Sequence, residues 1–411
     1  MAEFDIHEDK RRLERNLIRV KAADISNKNK SIILKFYENS VLQGMSKGRM
    51  VRYLTILIIT AEALDKDFDK ATQNDIKAFV MKIQEKDYSP WTKHQYKVIL
   101  KRFYKWLKGN DEEYPPEVKW IKCVMKKTEQ KLPGEGELLT EEEIKKLIHT
   151  AESPRDKALI STLFESGCRV GEIATMTIGK VVFDNYGTMI HVKGKTGSRK
   201  IRLVSSTPYL ANWLQCHPFK GDREAPLWVI MGQRDYHKSM RYCTIRNRLK
   251  KLFKKAGIKK RPNPHLFRHS RATYLANHLT EFQMNQYFGW IQGSDMPSTY
   301  VHMSGREVDG AILELNGFKT EQTKQKSALK PSKCPRCDTI NSHDSKFCSK
   351  CGGVTDIRIA MELEEQRKKE IETRKDSDDV MTQLMGNPDV QKFLLEKISQ
   401  LKLATKAIAF P

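Results

Sequence analysis

The stretch from His265 to His302 holds the side chains with the clearest capacity for chemistry. His265 and Arg268 open it three residues apart, so on one helical turn they face the same way. Tyr300 lies near its end and carries a phenol hydroxyl that can act as a nucleophile. An H-x-x-R pair recurs by chance in long chains. It becomes informative only when further cationic groups accompany it.

Two such groups lie upstream, each in a segment that predicts a turn. Arg169 follows Gly167 in the sequence SGCRVGE, and the carboxylate of Glu172, three residues later, could hold its guanidinium. Lys195 lies at the tip of a predicted hairpin, VKGKTGSRK, between two short strands rich in branched residues. A lysine in an exposed turn is common on any protein. Together with the arginines and the histidine, it predicts a site that surrounds one phosphate beside a tyrosine hydroxyl.

This set resembles the catalytic set of the tyrosine recombinases, the phage integrase family, across roughly residues 25–318. The spaced elements occur here in the family's order. One departure is the tripeptide Phe-Gly-Trp, where the commoner family pattern is Leu-Gly-His. The resemblance implies six catalytic residues and one supporting carboxylate: Arg169, Lys195, His265, Arg268, Trp290 and the nucleophile Tyr300, with Glu172 in support.

The implied reaction is DNA strand breakage and rejoining through a 3′-phosphotyrosyl link, which keeps the bond energy available for rejoining. Arg169 and Arg268 can each take two phosphate oxygens through a planar fork. His265 and the indole N–H of Trp290 can donate to the remaining oxygens, and Lys195 is the candidate acid for the leaving 5′ oxygen. No carboxylate cluster of the metal-nuclease kind accompanies these residues in the sequence, so we expect no catalytic metal.

The charge of the chain predicts a polyanionic partner. Its 411 residues include 74 Lys or Arg against 51 Asp or Glu, and the net charge of +23 favours nucleic acid first and an anionic membrane second. No apolar run reaches the length of a membrane span, and the segment MAEFDIHEDKRR has no signal-peptide core. Four of the eight cysteines stand in CxxC pairs, which suits a reducing compartment. We therefore expect an intracellular nucleic-acid-binding protein, and the resemblance implies a cytoplasmic, nucleoid-associated protein that binds double-stranded DNA at specific recombination sites.

The predicted fold class is mainly α with a small β-sheet. The resemblance implies an N-terminal helical core-binding (SAM-like) domain before a mixed α+β catalytic domain, and composition adds a zinc ribbon and a helical tail. The predicted division is a basic helical lead-in at 1–24, the core-binding DNA-clamp domain at 25–109, a linker at 110–137, the catalytic domain at 138–318, a linker at 319–333, the zinc ribbon at 334–353 and the helical tail at 354–411.

One predicted helix of the N-terminal domain carries a regular row of positive charge. Between Thr92 and Leu107 a lysine recurs every four residues, opposite an apolar side. A solvated face is the ordinary explanation of such a row. In a chain of charge +23, with no acid interleaved, we favour contact with DNA phosphates. The four predicted DNA-binding residues are Lys93, Lys97, Lys101 and Lys105.

The elements around the H-x-x-R pair must position the tyrosine. An amphipathic helix with Leu275, Leu279 and Phe282 on one face is predicted to follow the pair, and a loop that contains Pro297 then leads to Tyr300. A last short helix is predicted beyond the tyrosine. Because such a helix docks on a neighbouring subunit in relatives, the resemblance implies a homo-oligomer, a tetramer, on DNA. The apolar residues of that helix are Val308, Ile312 and Leu313.

Two CxxC pairs near the C-terminus predict a structural metal site. Ten residues separate the pairs, a spacing typical of a tetrahedral four-thiolate zinc site, with rubredoxin-like iron as the chemical alternative. Four protein ligands leave no open position, so we expect one structural zinc without a catalytic role. The predicted ligands are Cys334, Cys337, Cys348 and Cys351.

Two other functions remain open from the sequence. A type IB topoisomerase-like enzyme would use the same chemistry as a monomer to nick and close DNA. A zinc-ribbon DNA-binding regulator with an inactive recombinase domain would bind DNA without cleaving it. The small helical domain and the predicted helix after Tyr300 disfavour the first, and the six competent residues disfavour the second. The sequence therefore favours a site-specific recombinase, an integrase.

Overall fold

The structure is a computed structural model that describes residues 5–109, 113–125, 133–194, 196–232, 236–303, 312, 315–317 and 327–407. The chain divides into two compact units. The first contains the residues up to Asp184 together with Thr188–Ala328, and the second contains Leu329 onwards together with Asn185–Gly187. The boundary after Ala328 falls within the predicted linker 319–333. The finer predicted division of the first unit stays a prediction.

The first part of the first unit is helical. Its described helices are α1 (Asp9–Ala22), α2 (Asn27–Leu42), α3 (Lys47–Leu64), α4 (Gln73–Glu85), α5 (Pro90–Lys108) and α6 (Pro116–Lys119). Apolar side chains at helical spacing give each long helix one face for a common core. Phe68, Phe103 and Tyr104 are fully buried in that core and meet edge to face. Thr72 and Asp75 form a capping box at the start of α4, which their spacing predicts.

The second part of the first unit surrounds one buried helix. The helices are α7 (Glu141–Thr150), α8 (Pro154–Ser166), α9 (Val170–Ala174), α10 (Thr207–Gln215), α11 (Tyr242–Lys255), α12 (Pro264–Ala276), α13 (Glu281–Phe288) and α14 (Met296–Met303). Single 3-10 turns lie at Glu135–Glu137 and Ile178–Lys180. Most side chains of α8 are buried, and α7, α10 and α12 pack against it. α8 therefore forms the centre from which the turn at its C-terminal end is positioned.

A small antiparallel sheet lies beside these helices. Its strands are β1 (Val181–Asp184), β2 (Gly187–Gly194) and β3 (Gly197–Leu203), in sequence order. Gly194 pairs with Gly197, which confirms the predicted hairpin. Because side chains alternate along a strand, Arg199, Ile201 and Leu203 point to the same face. Ile201 and Leu203 are buried there, so Arg199 also faces the interior.

Two local predictions are wrong. The predicted helix with Leu275, Leu279 and Phe282 on one face is two helices, α12 and α13, because Thr280 begins a new helix through a capping box with Gln283. Phe282 consequently faces solvent and is 65% exposed. Pro297 does not lie in a loop. It lies in the first turn of α14, where the missing N–H of proline costs no hydrogen bond.

The second unit contains a two-stranded ribbon and two long helices. β4 (Ser332–Lys333) pairs antiparallel with β5 (Ile340–Asn341). Two helices follow, α15 (Ile357–Gly386) and α16 (Pro388–Ala407), and α15 buries none of its residues. Within the part of the chain that the structure describes, no helix is both long and apolar enough to cross a bilayer.

Candidate active site

Arg169 stands at the N-cap of α9, directly after the turn that ends α8. Gly167 makes that turn with a φ of 56°, in the left-handed region that favours glycine. The Arg169 Nη1 atom lies 3.3 Å from Glu172 Oε1, as the G-x-R-x-x-E spacing predicts. The Arg169 side chain is 32% exposed, so its guanidinium can take an anion from the solvent side.

Glu172 has a closer partner, Arg199 on β3, which the sequence analysis missed. Arg199 Nη1 lies 3.0 Å from Glu172 Oε1 and Nη2 lies 2.8 Å from Oε2, a bidentate pair between side chains that are only 10% and 4% exposed. Burial by itself would raise the pKa of Glu172. The hydrogen bonds and charge of Arg199 outweigh burial and lower that pKa, so the carboxylate stays ionised. Arg199 Nε also donates to the carbonyl of Tyr287, at 2.8 Å.

The hairpin tip contacts the residues around Glu172 and Gly289 through the neighbours of Lys195, Gly194 and Thr196. Thr196 Oγ1 donates to the carbonyl of Gly289 at 2.9 Å. Gly194 approaches Glu172 so closely that a Cβ there would collide with the carboxylate, which explains the glycine. Lys195 itself lies outside the described residues.

Arg268 on α12 is buried, with 6% of its surface exposed. Its Nη1 donates to the carbonyl of Gly167 at 3.0 Å and its Nη2 to that of Phe288 at 2.8 Å. Burial, aided by the charge of Arg169, lowers the pKa of Arg268 to about 10, so the group stays cationic at neutral pH. Its guanidinium carbon lies 5.1 Å from the ring centroid of Phe288 and 5.4 Å from that of Trp290.

His265 lies in the first turn of α12 and is exposed. Partial desolvation lowers the pKa of His265, and the positive charges of Arg268 and Arg169 lower it further. The ring is therefore neutral at neutral pH and has one N–H to donate. The charge of Arg169 also acts on Arg268, so His265, Arg169 and Arg268 share one electropositive environment.

Tyr300 on α14 lies in an apolar cluster and is 1% exposed. Its ring stacks on Trp290, with centroids 5.4 Å apart and planes 5° apart. Trp290 also stacks on Phe288, at 4.8 Å. Burial raises the pKa of Tyr300 to about 12, although the charge of Arg268 acts in the opposite direction. The hydroxyl Oη lies 2.7 Å from Nδ1 of His269, a second residue that the sequence analysis missed.

Both missed residues leave a signal in the sequence. Strand alternation places Arg199 at an inward position with Ile201 and Leu203, where an arginine must find a partner. His269 follows H-x-x-R directly and lies four residues after His265, so the two share a helix face. The partners of these side chains come from distant parts of the chain, and no local pattern names them.

The predicted DNA-binding row lies on α5, where all four residues are partly buried: Lys93, Lys97, Lys101 and Lys105. Lys101 Nζ donates to the carbonyl of Ile121 at 3.0 Å and lies 4.4 Å from the ring centroid of Tyr114. Lys105 lies 5.2 Å from the same ring. The segment that follows α5 therefore covers part of the row, and its role in DNA binding stays a prediction.

The four predicted metal ligands come together in the second unit. Their Sγ atoms all lie within 4.8 Å of one another. The Cys334 and Cys351 Sγ atoms are 3.5 Å apart, and those of Cys337 and Cys348 are 3.6 Å apart. Tetrahedral zinc with bonds of about 2.3 Å separates its sulfur ligands by about 3.8 Å. Backbone N–H groups two residues after Cys334 and after Cys348 donate to their sulfurs. The arrangement fits a metal ion held by four thiolates.

The comparisons with known proteins agree on one class of protein. Residues 137–307 match the model of the Phage integrase family. Tyrosine recombinase XerA from Pyrococcus horikoshii is 25% identical over 258 residues, which cover 63% of this chain and 84% of that protein. XerH site-specific recombinase bound to palindromic difH substrate is similar with a TM-score of 0.52 and 17% identity, over 77% of this chain and 98% of that one. A lambda integrase dimer bound to a COC' core site gives a TM-score of 0.52 and 16% identity, over 67% and 78%.

The fold is that of the tyrosine recombinases, and residues 137–307 belong to the Phage integrase family. The chain is accordingly a site-specific DNA recombinase, an enzyme that breaks and rejoins DNA strands. Nothing in these relatives favours the topoisomerase-like or the inactive-regulator alternative.

Proposed function

We propose that Tyr300 is the nucleophile of this recombinase and that two arginines hold the phosphate that it attacks. One set of contacts carries the proposal. The buried guanidinium of Arg268 lies over the ring of Trp290, and Trp290 in turn stacks on Tyr300. Arg169 acts on Arg268 electrostatically from the neighbouring turn. The cationic groups and the hydroxyl-bearing ring thus belong to one cluster within one chain.

The proposed reaction conserves phosphodiester bonds. The Tyr300 oxygen forms a bond to phosphorus while the bond to the 5′ oxygen breaks, which gives a 3′-phosphotyrosyl link and a free 5′-hydroxyl. Lys195 gives a proton to the leaving 5′ oxygen, the phenol of Tyr300 gives its proton to solvent, and Lys195 is reprotonated from solvent, so the number of protons is unchanged. Attack by the 5′-hydroxyl of another strand reverses these bond changes, rejoins the DNA and releases Tyr300. No external energy source is needed.

The protein's contribution is positioning and neutralisation of charge. Arg268 is fixed by two backbone carbonyls before DNA arrives, so it needs no reorganisation during the reaction. Arg169 and Arg268 present forked donors to the phosphate, and His265 and Trp290 donate to its remaining oxygens. These cations and donors replace the metal ions of two-metal nucleases.

A covalent-trapping experiment tests the proposal. The protein is incubated, with a chelator present, with a library of nicked sites whose short 5′ fragment diffuses away on cleavage. We expect a covalent adduct with the wild type, and sequencing of the trapped DNA identifies the site. Tyr300→Phe should bind DNA normally and trap nothing, while the control Tyr274→Phe should trap normally. An adduct formed by Tyr300→Phe would exclude Tyr300 as the nucleophile.

We infer that the four-thiolate cluster holds one zinc ion, with iron as the chemical alternative. Four ligands close the coordination shell, so the ion would stabilise the ribbon without joining the reaction. Basic residues around the ribbon would then add DNA affinity or site choice; they are Lys333, Arg336, Lys346 and Lys350. Metal analysis and visible absorption distinguish colourless zinc from coloured iron.

We also propose that the enzyme acts as a homo-oligomer, a tetramer, on two recombination sites in the cytoplasm, at the nucleoid. The structurally similar lambda integrase forms a dimer on its core site. The predicted docking helix lies largely outside the described residues. Of its three apolar residues, Ile312 is described, whereas Val308 and Leu313 are not. The mass of the complex trapped on DNA measures the number of chains.

A further inference from the structure

His269 is the polar partner of the proposed nucleophile. Its Nδ1 atom lies 2.7 Å from Tyr300 Oη. Tyr300 is 1% exposed and shares its apolar cluster with Leu275, Met284 and Phe288. A buried hydroxyl in such surroundings needs a partner, and His269 supplies it.

The hydroxyl is retracted from the phosphate site. His265 and His269 lie four residues apart on α12, so they share a face and are separated by about one helical turn of 5.4 Å. His265 is exposed at the cationic site. The Tyr300 hydroxyl is instead hydrogen-bonded to His269, one helical turn further along α12. A phosphodiester of duplex DNA cannot contact an oxygen on a side chain with 1% of its surface exposed. Attack therefore requires Tyr300 to leave this position.

The hydrogen bond between Tyr300 and His269 holds the phenol in place and does not deprotonate it. The pKa of His269 is lowered to about 4, mainly by burial. Electrostatic interactions with the nearby His265 and Arg268 also lower this pKa. The imidazole is therefore neutral, and its Nδ1 can accept the phenol hydrogen. Burial raises the pKa of Tyr300 to about 12, so proton transfer from Tyr300 to His269 in this arrangement is strongly unfavourable.

We propose that His269 is a positioning residue that holds Tyr300 in a retracted position, and that breaking the hydrogen bond between them precedes attack on DNA. The inference rests on the proposed function of Tyr300 as nucleophile. Loss of the acceptor leaves the hydroxyl without a partner in an apolar cluster, which destabilises the retracted position relative to the released one. DNA or a neighbouring subunit must supply the free energy that releases Tyr300 in the wild type.

The first test needs no DNA. Tetranitromethane nitrates accessible tyrosines, and peptide mapping resolves each site. Tyr300 should react slowly in the wild type and roughly two- to tenfold faster in His269→Phe, which keeps a ring but lacks the acceptor. His269→Asn retains an acceptor near the position of Nδ1 and should restore protection. Tyr287, half-buried and with its hydroxyl bonded to the Glu165 carbonyl, should react at the same rate in each variant and report an intact fold.

The second test measures single-turnover adduct formation on the nicked substrate. His269→Phe should form the adduct roughly two- to tenfold faster at unchanged DNA affinity, and His269→Asn should match the wild type. Slower adduct formation by His269→Phe, or unchanged nitration of Tyr300, overturns the proposal. Failure of the proposed function itself appears differently, as an adduct that persists in Tyr300→Phe. The nitration result stays decisive for the retracted position in that case.

Discussion

Glu172 lies between two arginines, and Arg199 donates to its carboxylate with both terminal nitrogens, at 2.8 and 3.0 Å. The contact from the Arg169 guanidinium is single and longer, at 3.3 Å, and the Arg169 backbone N–H donates to Glu172 Oε2 at 2.9 Å. Because Arg199 also donates to the carbonyl of Tyr287, one side chain connects the hairpin, α9 and the end of α13. The hairpin that carries Lys195 and the turn that carries Arg169 are therefore positioned through a common carboxylate.

Arg199→Lys tests this connection. The charge is kept, but the fork is lost, so we expect a loss of about 1–3 kcal/mol in the free energy of unfolding and a larger loss in cleavage than in DNA binding. Denaturant unfolding and single-turnover cleavage measure the two effects. Arg202→Lys on the same strand is the matched control, since its pair with Asp184 is exposed and should contribute less than about 0.5 kcal/mol. Equal effects of the two substitutions would contradict the role of Arg199.

Arg169→Lys and Arg268→Lys separate transition-state stabilisation from binding. Each keeps a positive charge but cannot take two oxygens, so DNA affinity should change little. Cleavage should fall by about two orders of magnitude, in line with losing roughly 3 kcal/mol of preorganised stabilisation. Binding titrations and single-turnover cleavage provide the comparison. If affinity and cleavage fell equally, the arginines would be ordinary phosphate anchors.

The histidine beside Tyr300 predicts a pH-dependent stability. Its pKa is lowered from 6.5 to about 4 in the folded protein. Between these values the unfolded chain takes up a proton at His269 and the folded chain does not, so stability falls as the pH falls through this window. A shift of this size contributes up to roughly 3 kcal/mol. Unfolding at pH 7 and pH 5 should show a smaller loss in His269→Asn than in the wild type. Equal losses would mean that His269 titrates normally.

Metal removal should affect only the second unit. A short ribbon has little core of its own, so metal binding of about 10 kcal/mol or more acts as its folding free energy. Cys334→Ser or a strong chelator should unfold the segment around residues 334–351, which hydrogen exchange measures. A fragment that ends at Lys330 should still trap DNA. The absence of metal after purification, or loss of the adduct in Cys334→Ser, would contradict this division.

The sequence by itself determined which chemical groups the site would use. The spacing of H-x-x-R, the G-x-R-x-x-E turn and the CxxC pairs is local, and local geometry follows from helix, turn and knuckle conformations that a few residues specify. The same reasoning applies to the hairpin and to the capping box at Thr72. These features depend on neighbours within a few positions, which the sequence displays directly.

Only the tertiary structure decided how those groups are held. Arg199 lies 27 residues from Glu172 along the chain and His269 lies 31 from Tyr300, so their pairing depends on how α8, α12 and the sheet pack. The retraction of Tyr300 has the same origin, because its burial results from contacts with α12 and α13 that no periodicity encodes. A buried charge or hydroxyl must find a partner, but which partner it finds depends on how the core is packed.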